Sequence, residues 1–351
     1  NIFMENSMDK KESTSEKLKL DQIMKLLFKL SKKVTINLLN ALFNEDYKSD
    51  EVTIEYGNGE FLDDDYNRIK GDMFINVYRK EFVYRYHIEF QTLNDTGMVI
   101  RMFKYGFEKA METLDISSEK EIRLEFPKQR VIFLEENQNI ADSLSMVLIM
   151  PDGQEIKYKV PVMKYWKYTP ADLEKQKMYA LLPLQVFKSR KKIDSIYESK
   201  RPEEEKAQLI NQEFEKLKET VAEVLNILSN LYDKHEIFSG DLKKILDVLT
   251  NINDYLYSKY GKYRDIDKEV TAMIKTVYDP KVKEEGKEEG KIEGKKEGKI
   301  EYILNILNSK FDTVPGDLKE KILSIEDESK LDNLFMAVIK SDSISDIYRM
   351  I

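Results

Sequence analysis

Two acidic residues and a glutamine lie in strand-like segments from which they could act together on a substrate. Residues 83–92, VYRYHIEFQT, alternate polar and apolar side chains, so Glu89 and Gln91 share one face of a predicted strand. Asp72 lies in the preceding predicted strand, and a hairpin between the two would bring Asp72 beside Glu89. Two close carboxylates repel each other unless a cation lies between them, and a divalent metal is the usual solution. The plainer alternative is three polar residues on the solvated face of a hairpin.

The composition limits which metal and which chemistry are available. The 351 residues include no cysteine and two histidines, which excludes disulfides, thiolate zinc sites and cysteine nucleophiles and disfavours a histidine-built metal site. A metal here would be a hard, oxygen-liganded ion such as Mg²⁺ or Mn²⁺. The formal net charge of −8 argues against indiscriminate wrapping of nucleic acid, although a local basic groove would still permit DNA binding.

Membrane and export signals are not visible in the sequence. No apolar run approaches the roughly 20 residues that span a bilayer, and no signal-peptide pattern opens the chain. We therefore expect a cytoplasmic protein with no membrane partner.

The elements that must position the polar residues are predicted in the first half of the chain. Residues 1–16 are polar and aperiodic, which is typical of disorder. Apolar residues at helical spacing over 17–43 predict one long amphipathic helix, or two with a break near Ser31. Strands and turns follow, interrupted by helical spacing over 98–114, and the sheet region is predicted to end near residue 167.

The second half is predicted to be helical, with helices at about 202–235, 240–259 and 263–277. Residues 283–299 then repeat a glycine at every fourth position among lysines and glutamates. Each glycine would cost a helix roughly 1 kcal/mol relative to alanine, so a solvated spacer is favoured over a helix. Residues 300–351 return to an amphipathic helical pattern, which is typical of a small terminal bundle or pairing element.

Several stretches, in this order, resemble the PD-(D/E)XK nuclease superfamily. The branch most similar is that of the recombination-promoting nucleases, also described as PD-(D/E)XK family transposases. The motifs are an opening helix DQIMKLLFKL with NLLNALF, a strand RIKGD, the signature HIEFQ, a helix MVIRMFKYGF and the repeat tail KEEGKEEGKIEGKKEGK. The resemblance covers about the first hundred residues and, by composition, the tail.

The resemblance implies an α/β (α+β) fold with a restriction-endonuclease-like core, in which helices flank a mixed central sheet. A mostly helical C-terminal region would follow. The predicted organisation is a disordered N-terminus (1–16), a nuclease-like core (17–167), a helical region (168–280), a Gly/Glu/Lys repeat linker or helix (281–299) and a C-terminal helical segment (300–351).

The resemblance also implies roles for individual residues. Asp72 and Glu89 would hold Mg²⁺ or Mn²⁺ together with the backbone carbonyl of Phe90. Asp21 corresponds to an acid of the first helix that supports the metal or its water. Gln91 stands where the wider superfamily has a lysine, and a glutamine can orient the attacking water by hydrogen bonds but supplies no positive charge.

Two residues of the following helix are supporting candidates. Arg101 and Tyr105 lie one helical turn apart and could face the scissile phosphate. An equally open alternative is a structural arginine paired with a carboxylate and a tyrosine packed in the core. His87 is expected to be an ordinary strand residue rather than a metal ligand.

Two groups of basic residues are candidates for contacts with DNA phosphates, which give affinity without reading bases. An ordinary charged surface is the alternative for both groups. The first lies on the opening helix and the second in the segment KSRKK; they comprise Lys25, Lys29, Lys32 and Lys33, and Lys188, Arg190, Lys191 and Lys192.

These observations predict a metal-dependent DNA endonuclease that hydrolyses phosphodiester bonds with a metal-activated water and is linked to recombination or mobile DNA. The alternative is a weak or inactive nuclease scaffold that serves as a DNA-binding or self-assembling protein. The presence of Asp72 and Glu89 favours the enzyme, whereas Gln91 and the negative net charge favour the scaffold. The helices of 168–351 could pack on the core, form a homo-oligomer or hold a partner, and these roles remain open.

Overall fold

The computed structural model describes most of the chain, in two compact units, Asn1–Val277 and Tyr278–Ile351. For residues 61–62, 68–69, 72, 280–293, 297 and 328–329 it describes the backbone alone. The described residues are 26–27, 30–57, 61–62, 68–69, 72–92, 95, 97–112, 122–277, 280–311, 314–325, 327–341 and 343–350.

The first unit contains a six-stranded mixed sheet and is otherwise mostly helical, so the predicted α+β class is confirmed. The order across the sheet is β1-β4-β5-β6-β8-β7, with β2 and β3 forming a separate two-stranded ribbon. The strands are β1 (Thr53–Gly57), β2 (Phe61–Leu62), β3 (Arg68–Ile69), β4 (Asp72–Arg79), β5 (Phe82–Gln91), β6 (Lys128–Phe133), β7 (Ser143–Ile149) and β8 (Glu155–Lys164).

Strand β5 lies at the centre of the sheet, antiparallel to β4 and parallel to β6. Its first four residues are partly exposed, but its last six are buried on both faces. The parallel pairing of β5 and β6 requires a crossover connection, and helix α2 (Met98–Glu112) lies within it. Met98 and Met102 of α2 pack against Val131 and Val160 of the sheet. The polar end of β5 therefore lies inside the fold.

Helix α1 (Lys32–Phe43) precedes the sheet and begins where the sequence predicted a break. The Ser31 hydroxyl accepts a hydrogen bond from the Val34 amide at 3.5 Å, which caps the first turn. The Ser31 amide donates to the Asp241 carboxylate at 2.6 Å, so the start of α1 is anchored to a distant helix. Asn44 ends α1 in the left-handed conformation (φ 55°), which asparagine tolerates well.

The predicted helices of the second half are confirmed to within a few residues. Thr169 and Asp172 form a reciprocal capping box at the start of the first of them. Short 3₁₀ segments cover Tyr165–Lys167, Tyr179–Val186 and Ser258–Tyr260. The helices are α3 (Pro170–Lys175), α4 (Phe187–Tyr197), α5 (Glu203–Asp233), α6 (Ser239–Tyr257) and α7 (Ile266–Val277).

The glycine repeat lies in a helix, α8 (Pro280–Lys310), whereas the sequence favoured a solvated spacer. The C-terminal part of α8 is buried through Ile300, Ile303 and Leu307, and this packing provides the stability that the glycines lack. The second unit also contains α9 (Gly316–Leu323), α10 (Glu328–Lys340) and α11 (Ile344–Tyr348).

No helix among the described residues has both the length and the apolar character needed to cross a bilayer.

Candidate active site at the end of the central hairpin

The backbone register of the β4–β5 hairpin pairs Asp72 with Glu89, as the sequence predicted. The turn is tight, because Arg79 pairs with Phe82 and Lys80 adopts a left-handed conformation (φ 55°). Opposite positions of an antiparallel pair have Cα atoms about 4.5–5.5 Å apart, so positions 72 and 89 are close neighbours. The side chain of Asp72 lies outside the described part of the structure.

Glu89 is a buried carboxylate with unequal oxygens. The residue is 2% exposed, and its Oε1 atom accepts hydrogen bonds from the Gln91 amide and from Arg101. Its Oε2 atom is buried and has no hydrogen-bond partner among the described residues. A buried carboxylate oxygen without a partner is costly, so this atom marks an incomplete environment.

Arg101 compensates the charge of Glu89 only weakly. Its Nη2 atom lies 3.4 Å from Glu89 Oε1 and 3.6 Å from the Asp95 carboxylate, and it also contacts Met98 Sδ at 3.3 Å. Charge-assisted hydrogen bonds are usually 2.7–2.9 Å long, so one guanidinium nitrogen is shared among distant partners. Of the two alternatives left open by the sequence, this geometry is that of an arginine paired with carboxylates.

Gln91 lies on the same face of β5 as Glu89, as strand alternation requires. Its side-chain amide donates to Glu89 and is itself buried. In this arrangement the amide orients the carboxylate, and it adds no positive charge where the resembled superfamily has a lysine.

The carbonyl of Phe90 points towards the side of β4. The Leu134 amide donates to the Gln91 carbonyl at 2.8 Å, which shows that the Gln91 carbonyl points towards the β6 side. Successive carbonyls of a strand point in opposite directions, so the Phe90 carbonyl faces the other neighbour. The last described pair of that ladder is Asp72–Glu89, so Phe90 lies just beyond it.

A hydrogen-bonded chain behind the site fixes the tautomer of His87. Burial raises the pKa of Tyr158, so its hydroxyl stays protonated and donates to Gln129 Oε1. The Gln129 amide nitrogen donates to the Met102 carbonyl at 2.7 Å and therefore also donates to His87 Nδ1, 2.9 Å away. An Nδ1 atom that accepts a hydrogen bond carries no proton, so the ring proton is on Nε2. Sequence reasoning missed Gln129 and Tyr158, which lie on strands distant along the chain.

Tyr105 is fully buried beside His87, with ring centroids 6.0 Å apart. His87 also stacks on Phe74 with a centroid distance of 4.2 Å. This is the environment of a core tyrosine, the second alternative that the sequence left open for Tyr105.

The cluster at 188–192 is engaged within the protein. Each of the four candidate side chains contacts an acceptor of the same chain. Lys188 contacts the Tyr168 carbonyl, and Lys191 contacts the Glu136 carbonyl at 2.7 Å. Arg190 contacts Glu135 Oε1 at 2.8 Å, and Lys192 contacts Glu213 Oε1 at 2.5 Å.

The other basic group is only partly described. Lys32 and Lys33 occupy the first turn of α1, and Lys33 contacts the Glu236 carboxylate at 3.1 Å. Lys25, Lys29 and the first-helix acid Asp21 lie outside the described residues.

Within the described side chains, no group of three or more histidine, aspartate or glutamate residues could hold a metal ion. The candidate set predicted from the sequence includes Asp72 and Asp21, which that description does not cover. No protein-family model, curated protein or solved structure matches this chain.

Proposed function

We propose that this protein is a divalent-metal-dependent DNA endonuclease whose active site lies at the end of the β4–β5 hairpin. The observation that carries the proposal is the buried, unpartnered Oε2 atom of Glu89 on a residue in register with Asp72. An oxygen in this position is costly unless a cation, a proton or a ligand completes its surroundings. A second acid at the neighbouring position favours a cation.

The donor set fits a hard cation. Asp72, Glu89 and the Phe90 carbonyl supply only oxygen ligands, which Mg²⁺ and Mn²⁺ prefer. When bound, such an ion supplies an activated water at neutral pH and neutralises charge on a phosphate under attack. In the proposal Asp21 has the role that the sequence resemblance implies, support of the metal or its water.

The neighbouring residues of this chain would orient the site. Gln91 holds one oxygen of Glu89 by its amide and so directs the other oxygen towards the ligand. Arg101, shared between Glu89 and Asp95, can turn towards a phosphate because none of its contacts with the described residues is short. Tyr105 would act through packing against His87.

The finer fold and the biological setting belong to this proposal. A mixed sheet with a helix before it and another after its central hairpin supports a restriction-endonuclease-like core. The motif order supports membership of the recombination-promoting, transposase-like branch, hence a role in recombination or with mobile DNA. In the proposal Lys25, Lys29, Lys32 and Lys33 remain candidates for phosphate contacts, although Lys33 contacts Glu236; the cluster at 188–192 is engaged internally.

The test is plasmid nicking in Mg²⁺ and in Mn²⁺ by the full chain, with Asp72→Asn and Glu89→Gln variants. We expect each substitution to lower the metal-dependent rate by at least about 10³-fold, since each removes a ligand charge. Glu135→Gln is the matched control, because Glu135 is also buried and also paired with an arginine. We expect the folded Glu135→Gln protein to keep its activity.

A binding readout separates the site from the reaction. Millimolar Mg²⁺ should raise the unfolding temperature of the wild-type protein and not that of Glu89→Gln, because only the former binds the ion. Cleavage that survives both acid substitutions would contradict the proposal, as would a metal-dependent stabilisation that both variants retain.

A second candidate is the inactive scaffold, and one observation favours it. Glu89 Oε1 already accepts from both Gln91 and Arg101, so the carboxylate has internal partners. A scaffold would bind DNA with no nicking by the wild-type protein, and Mg²⁺ would leave its unfolding temperature unchanged.

A further inference from the structure

Strand β7 forms one outer edge of the sheet and pairs with β8 alone among the described strands. Two hydrogen bonds bracket this hairpin: Met150 N to the Gln154 carbonyl at 2.8 Å, and Val162 N to the Asp142 carbonyl at 3.0 Å. Hydrogen-bonded pairs alternate in an antiparallel ladder, so the even-numbered residues of β7 bond to β8. The odd-numbered residues direct their N–H and C=O groups outwards; they are Ser143, Ser145, Val147 and Ile149.

These outward groups form an open edge. No backbone hydrogen bond from the described residues reaches them. The strand SLSMVLI contains no charge and no proline, the usual devices that block an edge. Val147 and Ile149 are 51% and 73% exposed although both are strongly apolar. The opposite edge, β1, differs because it carries Glu55, which accepts from the Tyr78 hydroxyl at 2.6 Å.

The half of the β7–β8 hairpin nearest its turn lies outside the pairing of β8 with β6. Strand β8 pairs with β6 only from Val162 to Lys164. Its earlier residues, Glu155–Pro161, pair with β7 alone, so this part of the sheet is a two-stranded arm. Helix α2 covers one face of this arm, and a further strand at its open edge would widen it from two strands to three.

We propose that β7 of a second copy of this chain pairs with this edge, antiparallel and centred on Met146. The proposal does not depend on the nuclease proposal. Full overlap of the two strands places Ser143 opposite Ile149, and Ser145 opposite Val147. These are the residues whose backbone groups point outwards, and each such pair exchanges two hydrogen bonds. The sheets of the two copies become one continuous sheet.

The side chains of β7 match a second copy of themselves. On the face that packs against α2, the two-fold axis sets Met146 opposite Met146, and Leu144 opposite Leu148. Ile156 and Val160 of β8 lie beside Leu148 and Leu144 and extend each apolar row. The strand carries no charge, so like charges are not brought together across the axis. An isologous contact of this kind closes as a dimer and does not propagate.

The absence of cysteine from the chain makes a direct test available. In the proposed register the two Met146 residues form a non-hydrogen-bonded pair with Cα atoms about 4.5 Å apart, within the 4.4–6.8 Å range of disulfides. The two Ile149 residues would be separated by six positions along the strands, about 20 Å. Ile149→Cys is therefore a matched control that is more exposed and yet should not cross-link.

We expect Met146→Cys in the full chain to give a covalent dimer under mild oxidation, at least about tenfold faster than Ile149→Cys. Equal cross-linking rates for the two variants would overturn the proposed register. No cross-linking of Met146→Cys, with the unmodified chain monomeric by sedimentation at about 100 μM, would overturn the dimer.

A substitution at the edge provides an independent measurement. Val147→Lys places a charge on the outer strand, opposite Lys157 on the exposed face of the arm, and a charged residue on an edge strand is a usual block to further strand pairing. We expect at least about a tenfold rise in the dimer dissociation constant by sedimentation. Phe82→Lys, at a 64% exposed position of β5, should leave the constant unchanged.

Two other outcomes would also count against the proposal. A dimer that resists Val147→Lys would locate self-association elsewhere, such as at the C-terminal helices. A monomer that binds an added peptide of the sequence SLSMVLI, without self-association, would make the edge a site for another protein's strand.

Discussion

Two buried glutamate–arginine pairs lie at the same edge of the central sheet and differ in how completely they are formed. Glu135 follows the end of β6 and receives a 2.8 Å hydrogen bond from Arg190. Glu89, near the end of the adjacent parallel strand, lies 3.4 Å from Arg101. Each arginine also has an aspartate nearby, at 3.7 Å for Arg190 and 3.6 Å for Arg101.

The two pairs differ in whether the described residues satisfy the glutamate. Glu135 and Arg190 belong to a network that continues through Asp194 to Lys259 and Tyr260. Glu89 instead keeps one buried oxygen without a partner among the described residues. Burial and pairing with an arginine are common to both glutamates, so neither property identifies a functional carboxylate. The unfilled hydrogen-bonding capacity of Glu89 is the property on which the proposed function rests.

The largest stability effect is expected from Arg190→Met. Removing one member of a buried ion pair typically costs about 3–5 kcal/mol, because the remaining charge is uncompensated. Urea unfolding followed by Trp166, the single tryptophan, reports on the first unit alone. Arg201→Met is the control, since the Arg201–Glu205 pair is exposed and should contribute no more than about 1 kcal/mol. A loss below about 1 kcal/mol for Arg190→Met would remove the contrast between the pairs.

A smaller and metal-sensitive loss is expected from Arg101→Met. The hydrogen bond that is removed is long, so we expect a loss of about 2 kcal/mol in metal-free buffer. If Glu89 binds a cation, millimolar Mg²⁺ should recover part of this loss, because the ion stabilises only the folded form. The loss in Arg190→Met should not respond to Mg²⁺. Equal responses of the two variants would show that the two glutamate–arginine pairs do not differ in this way.

The position of α2 against the sheet sets the distance between Arg101 and Glu89, and a substitution at Gly106 tests this. A Cβ atom at Gly106 would lie 2.5 Å from the Phe126 ring and 3.1 Å from the Gln129 amide nitrogen. Gly106→Ala should therefore push α2 away from the sheet and cost about 1–3 kcal/mol. The same Trp166 measurement applies, with Gly240→Ala as the control because its Cβ would meet open space. An unchanged or higher stability of Gly106→Ala would show that α2 can shift freely.

The sequence predicts the parts of this fold that depend on local periodicity. The alternation in 83–92 and the short link before it were enough for the hairpin and for the pairing of Asp72 with Glu89. Ser31 could also be predicted as a helix boundary from local sequence, from the helical spacing of the apolar residues on either side of it. The helix through the glycine repeat could not, because its stability comes from the packing of Ile300, Ile303 and Leu307.

The candidate site could be predicted only in part, because its second half depends on contacts between distant segments. Nothing in the spacing of KSRKK shows that Arg190 meets a buried glutamate 55 residues earlier. No local sequence signal marks Gln129 either, although it fixes the tautomer of His87 through a contact between adjacent parallel strands. Such partners follow from strand order, which the sequence pattern does not determine.

The smallest expected effect is the pH dependence of stability contributed by Glu135. Burial raises the pKa of Glu135 above its ordinary value of 4.5, although the Arg190 guanidinium acts in the opposite direction. Between 4.5 and the raised pKa the native state binds more protons than the unfolded state, so the free energy of unfolding falls as pH rises. Glu135→Gln lacks this proton, so the stability of the wild-type protein relative to the variant should decline through that window and then level off. Urea titrations of both proteins from about pH 4 to pH 8 measure the difference. A relative stability that rises with pH would mean that Arg190 outweighs burial, and that Glu135 is held as a fully compensated anion.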